Sequence, residues 1–372
     1  STVDDADRAD RSAAVGPDDR CHVMFTSGTT GAPKGAILRH GAICRGYLSW
    51  SEVIGLREDD RYLVVNPFFH AFGLNAGIVA CLLTGATLVP HPVFDVPAVM
   101  ARVAEERISM LPGPPAIYQT ILNHPDLADL DLSSLRLAVT GAAPVPVPLI
   151  HAMRDTLGFE TVITGYGLTE ASGIATMCRH DDPPEVISGS SGRAIDGVEV
   201  LVVDADGDEV PRGEPGEVVV RGYNVMAGYL DDPDQTAEAV DADGWLHTGD
   251  IGVMDADDYL DITDRLKDMF INGGFNVYPA EVEGQLLAHP DIAQVAVVGV
   301  PDERLGEVGM AFVVATSGTS PDPTELVAWA RTEMANYKAP RRFEVVDALP
   351  ANASGKVLKY ELRERARQVL GA

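Results

Sequence analysis

A ten-residue segment, residues 26–35, constrains this chain more than any other feature of its sequence. It combines three glycines, four hydroxyl side chains and Lys34, directly after the apolar run at 21–25. Glycine lets the backbone curl so that its N–H groups face an anion, and the hydroxyls and the ammonium group add further donors. The segment is not a Walker A loop, because Pro33 precedes the lysine and Gly35 follows it. It predicts a phosphate-binding loop of another kind, the alternative being an exposed Ser/Thr/Gly turn.

The composition limits the classes of partner and compartment. The chain has 372 residues, 46% of them hydrophobic, which predicts a globular protein with about two to three domains' worth of core. A formal net charge of −28 opposes binding to nucleic acid or to an anionic membrane. The longest weakly polar run, 77–90, is too short to span a bilayer. The start is polar and acidic, unlike a signal peptide, and the four cysteines are widely spaced, so we expect a cytoplasmic protein.

Short apolar runs alternate with helical patterns over the first half of the chain. Apolar residues recur at helical spacing at Ile43, Tyr47, Trp50 and Ile54, and again over 96–103. This alternation is typical of a layered α/β domain with a largely parallel sheet. We expect residues 1–19 to be a disordered or linking segment. The predicted strands are 21–26, 62–66, 86–90, 108–111, 135–140 and 161–164.

The second half of the chain has a different pattern. Short apolar runs at 198–203, 216–221, 251–255 and 259–263 are separated by turns rich in Asp and Gly, which predicts a β-rich subdomain. A charged connector at 264–268 precedes a pattern of the order αββαβα, typical of a small α+β domain. We therefore predict two domains, 1–266 and 267–372.

Seven segments together resemble one protein family. The loop TSGTTGAPKG is followed by NPFFHAFG (66–73), TGAAP (140–144), GYGLTEAS (165–172), GWLHTGDIG (244–252), DRLKDMFINGGFNVYPAEVE (264–283) and NASGKVLKYEL (352–362). In this order they resemble the adenylate-forming superfamily of acyl-CoA synthetases, peptide adenylation domains and luciferases. The resemblance implies an α/β fold: a large N-terminal domain, layered α/β plus a β-rich subdomain, and a small mobile α+β C-terminal domain.

The family's chemistry is the ATP-dependent activation of a carboxylic acid. The carboxylate attacks the α-phosphate and expels pyrophosphate, and the thiol of coenzyme A then displaces AMP from the acyl-AMP. Because an anion approaches a polyanion, neutralisation of charge and positioning dominate the barrier. The resemblance thus implies ATP, Mg²⁺, coenzyme A and a small-molecule carboxylic acid as ligands.

The resemblance also assigns residues to the nucleotide. Tyr166 is expected to stack on adenine, with Gly141 and Ala142 close to the base, while Asp250 accepts from the ribose hydroxyls and Arg265 contacts the nucleotide. Contacts to the phosphates are expected from Thr26, Ser27, Gly28, Thr29, Thr30, Lys34, Thr169 and Lys356. Of these, Thr169 and Lys356 are expected to contact the α-phosphate during the reaction.

Glu170 resembles the family's Mg²⁺ ligand, since one carboxylate with phosphate oxygens and water suits this ion. Lys267 stands at the hinge position about which the small domain is expected to rotate between the two half-reactions. After the rotation, Gly273 and Gly274 are expected to line the tunnel for the pantetheine arm of coenzyme A.

His70 lies in an aromatic segment that resembles the border of the acyl pocket. Apart from His70 this segment is apolar, and it has no acid to pair with a substrate ammonium group. This favours a carboxylic acid without an α-amine, such as a fatty, aromatic or steroid-derived acid. The segments and the arginine-rich composition resemble actinobacterial fatty-acid and acyl-CoA ligases.

Each of these residues has a plainer interpretation when it is taken alone. Glu170 would be an exposed loop carboxylate, Tyr166 and His70 would be core residues, Asp250 would cap a turn, and Lys356 would be a solvated charge. Two functional alternatives also stay open. One is an acyl-AMP ligase that loads a carrier protein, and the other is a fragment that only binds nucleotide, since full-length members carry a further segment ahead of the loop.

Overall fold

A computed structural model describes residues 5–27, 33–92, 95–141, 145–266, 268–351 and 357–370. The helices of this part of the chain are α1 (Asp5–Ala14), α2 (His40–Ile54), α3 (Ala80–Thr84), α4 (Val96–Glu106), α5 (Pro115–Leu122), α6 (Val147–Asp155), α7 (Pro184–Gly189), α8 (Pro233–Ala239), α9 (Pro279–Leu286), α10 (Pro323–Glu333) and α11 (Lys359–Leu370). A π-helix, Phe72–Val79, leads into α3, and short 3₁₀ turns lie at Leu127–Asp129 and Thr169–Ala171.

The strands of the same ranges are β1 (Arg20–Ser27), β2 (Pro33–Arg39), β3 (Arg61–Val64), β4 (Thr87–Pro90), β5 (Leu137–Val139), β6 (Thr161–Ile163), β7 (Gly165–Tyr166), β8 (Thr176–Met177), β9 (Arg193–Ala194), β10 (Val198–Val203), β11 (Pro215–Gly222), β12 (Gly228–Tyr229), β13 (Leu246–Met254), β14 (Leu260–Arg265), β15 (Phe270–Asn272), β16 (Phe275–Val277), β17 (Ile292–Asp302), β18 (Gly306–Ala315) and β19 (Arg342–Val345).

The chain divides into two compact units. The first unit is Ser1–Thr248 with Val253–Asp261, and the second unit is Gly249–Gly252 with Ile262–Ala372. The division therefore passes through β13 and β14. The predicted boundary between residues 266 and 267 stays a prediction.

A parallel arrangement of strands forms the centre of the first unit. Strands β3 and β4 pair in parallel, and so do β5 and β6. Met110 bridges both halves through parallel contacts with Tyr62 and Leu137. The predicted run at 108–111 thus joins the sheet through isolated bridges and not as a strand. Pro112 directly after it has no N–H to donate toward β3, whereas the Gly113 N–H still donates to Val139 at 3.1 Å. The carboxyl ends of parallel strands share one edge, where α/β proteins place their ligands.

The phosphate loop, residues 26–35, differs from the sequence prediction in its surroundings. Strand β1 was expected to join the parallel sheet, but it pairs antiparallel with β2, with Thr26 directly opposite Lys34. Strand β2 in turn pairs with β12, which sets Tyr229 opposite Ala36. The described residues on either side of 28–32 therefore pair as antiparallel strands, and residues 33–35, which the sequence suggests are loop, already belong to β2.

The helices of the first unit follow the predicted periodicity. The four apolar residues of α2 that recur at helical spacing, Ile43, Tyr47, Trp50 and Ile54, are all buried. The expected disorder at 1–19 is wrong for Asp5–Ala14, which form α1. Alanine and the spacing of aspartate and arginine in this segment favour a helix.

The second unit confirms the predicted αββαβα order through α9, β17, β18, α10, β19 and α11. Its sheet has the order β16-β15-β18-β17, with β19 parallel to β18. Residues alternate between the two faces of β17: Val297 packs in the cluster with α9 and α10, while Val298 packs in the cluster with α11. Within the described ranges, no helix is both long and apolar enough to cross a membrane.

Candidate active site

Two glycines fix the course of the chain around Tyr166. A Cβ atom on Gly167 would lie 2.4 Å from the carbonyl oxygen of Gly173, and one on Gly165 would lie 2.9 Å from that of Thr176. Only glycine permits such a close approach of two backbones. Tyr166 follows β6 and is half-buried, while Gly141 follows β5, so both lie at the carboxyl edge of the parallel strands. The two described residues that the resemblance assigns to the adenine therefore share one edge of these strands, and their role stays a prediction.

The loop after Tyr166 is held by buried hydrogen bonds. The hydroxyl of Tyr47 donates to the carbonyl of Ser172 at 3.1 Å, and the Ser172 hydroxyl donates to the carbonyl of Asn224 at 2.7 Å. Ser172 has φ of 59°, a left-handed conformation that is uncommon outside glycine. The N–H of Met226 donates to the Glu170 carbonyl at 2.8 Å. The backbone of Glu170 is therefore fixed from both sides, against the interpretation of a loose surface carboxylate.

The Glu170 carboxylate lies where three separate segments meet. Its Oε1 atom accepts from the Tyr229 hydroxyl at 2.9 Å and from the Thr26 hydroxyl at 3.4 Å. Burial, together with the neighbouring carboxylate, raises the pKa of Tyr229, so the phenol stays a donor. The structure thus joins the metal ligand assigned from the sequence to the first residue of the phosphate loop.

Lys34 lies over the ring of the same tyrosine. Its ammonium nitrogen donates to Gln235 Oε1 and lies 5.1 Å from the centre of the Tyr229 ring. A cleft of about 350 Å³ opens beside these three residues. The lysine is therefore near, but not paired with, the Glu170 carboxylate, and its charge is available to an anion.

The residues around Glu170 fit a magnesium ion held largely by a nucleotide. No group of three His, Cys, Asp or Glu side chains in the described part of the chain could hold a metal alone. One carboxylate oxygen and one hydroxyl leave room for phosphate and water oxygens, as Mg²⁺ prefers. The donor set thus matches a metal that enters with its ligand.

Asp250 and Arg265 form an ion pair within the second unit. The Arg265 Nε atom lies 2.8 Å from Asp250 Oδ1, and the Asp250 side chain is only 3% exposed. Asp250 lies within β13, so the alternative interpretation as a turn or cap residue is wrong. Arg265 is 40% exposed. The pair can offer a ligand both a carboxylate acceptor and a planar donor.

Asp264 anchors the charged connector at 264–268 to the second unit. Its carboxylate accepts from the N–H of Ala280 at 2.8 Å, at the N-terminus of α9, and from the N–H of Arg265 at 2.6 Å. Burial raises the pKa of Asp264 despite these donors. On the other side of residue 267, Asp268 pairs with Arg363 of α11 at 2.6 Å. The chain that flanks the predicted hinge is thus tied to two helices of the second unit.

Gly273 and Gly274 form the two-residue turn between β15 and β16. Their φ angles are 59° and 90°, as in a type I′ hairpin turn. Both glycines are exposed. The hairpin geometry accounts for these glycines by itself, and the tunnel for coenzyme A stays a prediction.

His70 lies at the same edge as Tyr166, after β3. Its Nδ1 atom accepts from the N–H of Phe72 at 3.3 Å, and partial burial lowers the pKa of the ring. Side chains of the preceding residues Phe68 and Phe69 are 41% and 78% exposed. His70 keeps part of its own surface exposed, so it is not the fully buried core histidine of the plainer interpretation.

The His70 segment packs directly on the loop that carries Thr169 and Glu170. A Cβ atom on Gly173 would lie 2.9 Å from the Cβ of Ala71. Thr169 and Glu170 open the 3₁₀ turn of that loop and are both half-buried. The segment assigned to the acyl pocket and the loop assigned to the nucleotide are therefore neighbours within the first unit.

Several assigned residues lie outside the described residues. They are Gly28, Thr29, Thr30, Ala142, Lys267 and Lys356, together with the side chain of Ser27. The sequence analysis in turn missed Tyr229 and Gln235. The sequence gives no specific signal for them, since the Gly-Tyr pair at 228–229 also occurs at 46–47, 165–166 and 222–223.

Comparisons with known proteins agree over both units. Residues 1–230 match a family described as AMP-binding enzyme, and residues 281–356 match the AMP-binding enzyme C-terminal domain. A 3-(7a-methyl-1,5-dioxo-octahydro-1H-inden-4-yl)propanoyl:CoA ligase of Rhodococcus jostii is 55% identical over 96% of this chain and 67% of its own length. A feruloyl-CoA synthase of Amycolatopsis is 44% identical over 98% of this chain and 73% of its own length.

Solved structures give the same result. ATP-bound MatB from Rhodopseudomonas palustris has a TM-score of 0.86 and 32% identity, covering 95% of this chain and 69% of that one. MenE from Bacillus subtilis, an o-succinylbenzoate CoA synthetase in complex with OSB-AMP, has a TM-score of 0.82 and 32% identity, covering 94% and 70%. The chain thus spans about two thirds of the length of the proteins it matches.

Proposed function

The chain belongs to the AMP-binding enzyme family, and from this premise we propose that it catalyses the AMP-forming synthesis of an acyl-CoA from a carboxylic acid. The observation that carries the proposal is the contact between Glu170 and Thr26. This contact supports a Mg²⁺-binding role for the Glu170 carboxylate beside the first residue of the phosphate loop, and Thr26 lies opposite Lys34 in the paired strands. Such an arrangement suits a magnesium nucleotide.

The first step joins the acid to AMP. A carboxylate oxygen of the acid attacks the α-phosphorus while the bond to pyrophosphate breaks, so negative charge moves toward the phosphate loop. Lys34 and the loop N–H groups would stabilise the pyrophosphate, and Thr169 and Lys356 would hold the α-phosphate and the acid. Glu170, with Thr26, would hold Mg²⁺, which supplies neutralisation of phosphate charge.

The second step forms the thioester. The sulfur of coenzyme A attacks the acyl carbon, the bond to AMP breaks, and the thiol proton is released. We propose that residues 267–372 rotate about Lys267 before this step, which removes Lys356 from the site and brings Gly273 and Gly274 against the pantetheine arm. The Asp268–Arg363 pair ties the chain just after the hinge to α11 of the rotating segment. The bond from the Ala280 N–H to Asp264 crosses the hinge, so this rotation would break it.

We propose an aromatic or fused-ring acid as the substrate. The two relatives act on a feruloyl group and on a propanoate attached to a bicyclic dione, as their names state. The exposed rings of Phe68 and Phe69 beside His70 offer an apolar surface without an acid. Such a surface favours a bulky carboxylic acid that lacks an ammonium group.

The proposal is tested by measuring AMP and pyrophosphate with a panel of acids, each with and without coenzyme A. The panel contains bicyclic propanoates, ferulate, a medium-chain fatty acid and an amino acid. We expect turnover with the fused-ring or aromatic acids and coenzyme A. Thioester formation with a carrier protein but not with coenzyme A would overturn the proposed acceptor, and Mg²⁺-ATP binding without acid-dependent pyrophosphate release would overturn the activity.

A further inference from the structure

We propose that Tyr229 is a positioning residue that sets the Glu170 carboxylate and the Lys34 ammonium group for the nucleotide phosphates, an inference that rests on the proposed function. The Tyr229 hydroxyl donates to Glu170 Oε1 at 2.9 Å, and Lys34 Nζ lies 5.1 Å from the centre of its ring. One side chain thus touches the two charged groups that flank the phosphate loop.

The place of Tyr229 is set by its backbone. Strand β12 pairs with β2, and the N–H of Tyr229 donates to Thr236 Oγ1 at 2.8 Å. The preceding Gly228 has φ of 138°, and a Cβ atom there would lie 2.8 Å from Thr236 Cγ2. Glycine is therefore required before the tyrosine. The phenol is held before any ligand arrives.

The hydroxyl of Tyr229 selects one oxygen of Glu170. Both described donors, Tyr229 and Thr26, bind Oε1, and no described residue donates to Oε2. The carboxylate is thereby held in one orientation with Oε2 available to a cation. Partners that orient a metal-binding carboxylate in this way are typically worth about 10- to 100-fold in metal affinity.

The ring of Tyr229 holds Lys34 without neutralising it. A cation over an aromatic face is attracted by the ring quadrupole but keeps its charge for an anion, unlike a lysine paired with a carboxylate. Gln235 completes the support, since its Oε1 accepts from Lys34 while its Nε2 donates to Glu238 at 2.6 Å. The tyrosine therefore fixes the ammonium group and leaves it competent to bind phosphate.

Tyr223 offers a matched control. Its ring also carries a cation, because the guanidinium of Arg45 lies 4.1 Å from the ring centre. Its hydroxyl is buried and has no hydrogen-bond partner among the described residues. Tyr223→Phe thus removes the same atom as Tyr229→Phe from a ring that also carries a cation, without removing a hydrogen bond to Glu170.

The test measures metal binding and not turnover. Mn²⁺ is titrated into the protein with a non-hydrolysable ATP analogue, and bound metal is followed by electron paramagnetic resonance. We expect Tyr229→Phe to weaken Mn²⁺ binding about 10- to 100-fold, and Tyr223→Phe to leave it within about twofold. Tyr229→Leu, which also removes the ring from Lys34, should in addition weaken binding of the analogue without metal.

A second comparison separates positioning from a general structural effect. In a Glu170→Gln background, Tyr229→Phe should weaken Mn²⁺ binding by no more than about a further twofold, because the oriented carboxylate is already lost. An equal loss in both backgrounds, or Mn²⁺ affinity unchanged in Tyr229→Phe, would overturn the proposal. The binding titration contains no acid or coenzyme A, so it does not depend on turnover. A chain that binds Mn²⁺ and the analogue here, but makes no AMP in the acid panel, contradicts the proposed function alone. A wild-type chain that binds no Mn²⁺ with the analogue overturns both.

Discussion

Arg265 Nε lies 2.8 Å from Oδ1 of Asp250, whose side chain is only 3% exposed. A carboxylate so deeply buried is stable only while it keeps charged or hydrogen-bonding partners. In the proposed function the same carboxylate accepts from the ribose hydroxyls, so the ion pair and the nucleotide share one acceptor.

Asp250→Asn should therefore weaken nucleotide binding. The amide offers one acceptor oxygen and no charge, and hydrogen bonds to charged groups contribute about 1.5–3 kcal/mol. We expect the KM for ATP to rise about 10- to 100-fold, with a smaller change in kcat. The matched control is Glu199→Gln, which breaks the exposed pair with Arg221 and should leave the KM within about twofold. An unchanged KM in Asp250→Asn would remove Asp250 from the nucleotide site.

Gly273→Asn should separate the two half-reactions. Asparagine followed by glycine suits a type I′ turn, so the hairpin of β15 and β16 should be preserved. The added side chain would narrow the proposed path of the pantetheine arm. We expect the KM for coenzyme A to rise at least about tenfold, equivalent to 1.4 kcal/mol, with acid-dependent pyrophosphate exchange unchanged.

The control for this variant is Gly318→Asn, at another positive-φ turn of the same unit, where a Cβ atom meets nothing within 4 Å. It should alter neither half-reaction. Normal use of coenzyme A by Gly273→Asn, with an unchanged melting temperature, would count against the tunnel.

Lys356→Ala should show the opposite separation. Removing a cation that stabilises transition-state charge typically costs about 10²- to 10³-fold in rate. We expect that loss in pyrophosphate exchange, while thioester formation from supplied acyl-AMP is largely spared. Lys338→Ala, which breaks a pair with Glu281 in the same unit, serves as the control. Equal loss of both half-reactions in Lys356→Ala would contradict the proposed division of roles.

Glu283 predicts a pH dependence of stability in the second unit. Its Oε1 accepts from the N–H of Val297 at 2.7 Å and pairs with Lys359 at 2.8 Å, yet burial dominates and raises the pKa of the carboxyl. The folded state then binds more protons than the unfolded state between the ordinary glutamate pKa, about 4.3, and the raised value. The protonated Glu283 carboxyl therefore adds to the free energy of unfolding below that window, and this contribution is lost as the pH rises through it.

Hydrogen exchange at the β17 amides measures this effect. The free energy of opening of wild type relative to Glu283→Gln should fall as the pH rises from 4 to 7. If the difference instead grows with pH, the ion pair with Lys359 outweighs burial, and the predicted sign is wrong.

Sequence patterns predicted the elements that depend on local periodicity. The buried face of α2 follows from the spacing of Tyr47 and Trp50, and the αββαβα order follows from runs that each form one element. Strand β2 was missed because Pro33 and Lys34 belong to a motif that looks like loop throughout. Its extended form is set by pairing with β1 on one side and β12 on the other.

The site was predicted only where a motif carries its own chemistry. Glu170 and Asp250 stand in recognisable segments, and their acidic side chains suggest roles. Tyr229 does not, since a tyrosine after glycine in a turn-rich stretch has no local feature that predicts its contact with Glu170. That contact depends on β12 pairing with β2, which lies almost 200 residues earlier in the chain. Long-range pairing of this kind is not encoded in local periodicity.

The transfer of oxygen from the acid to AMP tests the central claim most directly. If a carboxylate oxygen attacks the α-phosphorus and the thiol then attacks the acyl carbon, that oxygen leaves with AMP. With an acid labelled with ¹⁸O in its carboxyl group, and with ATP, Mg²⁺ and coenzyme A, mass spectrometry of the products should show one labelled oxygen in each AMP formed. Unlabelled AMP, or ADP and phosphate in place of AMP and pyrophosphate, would contradict the account.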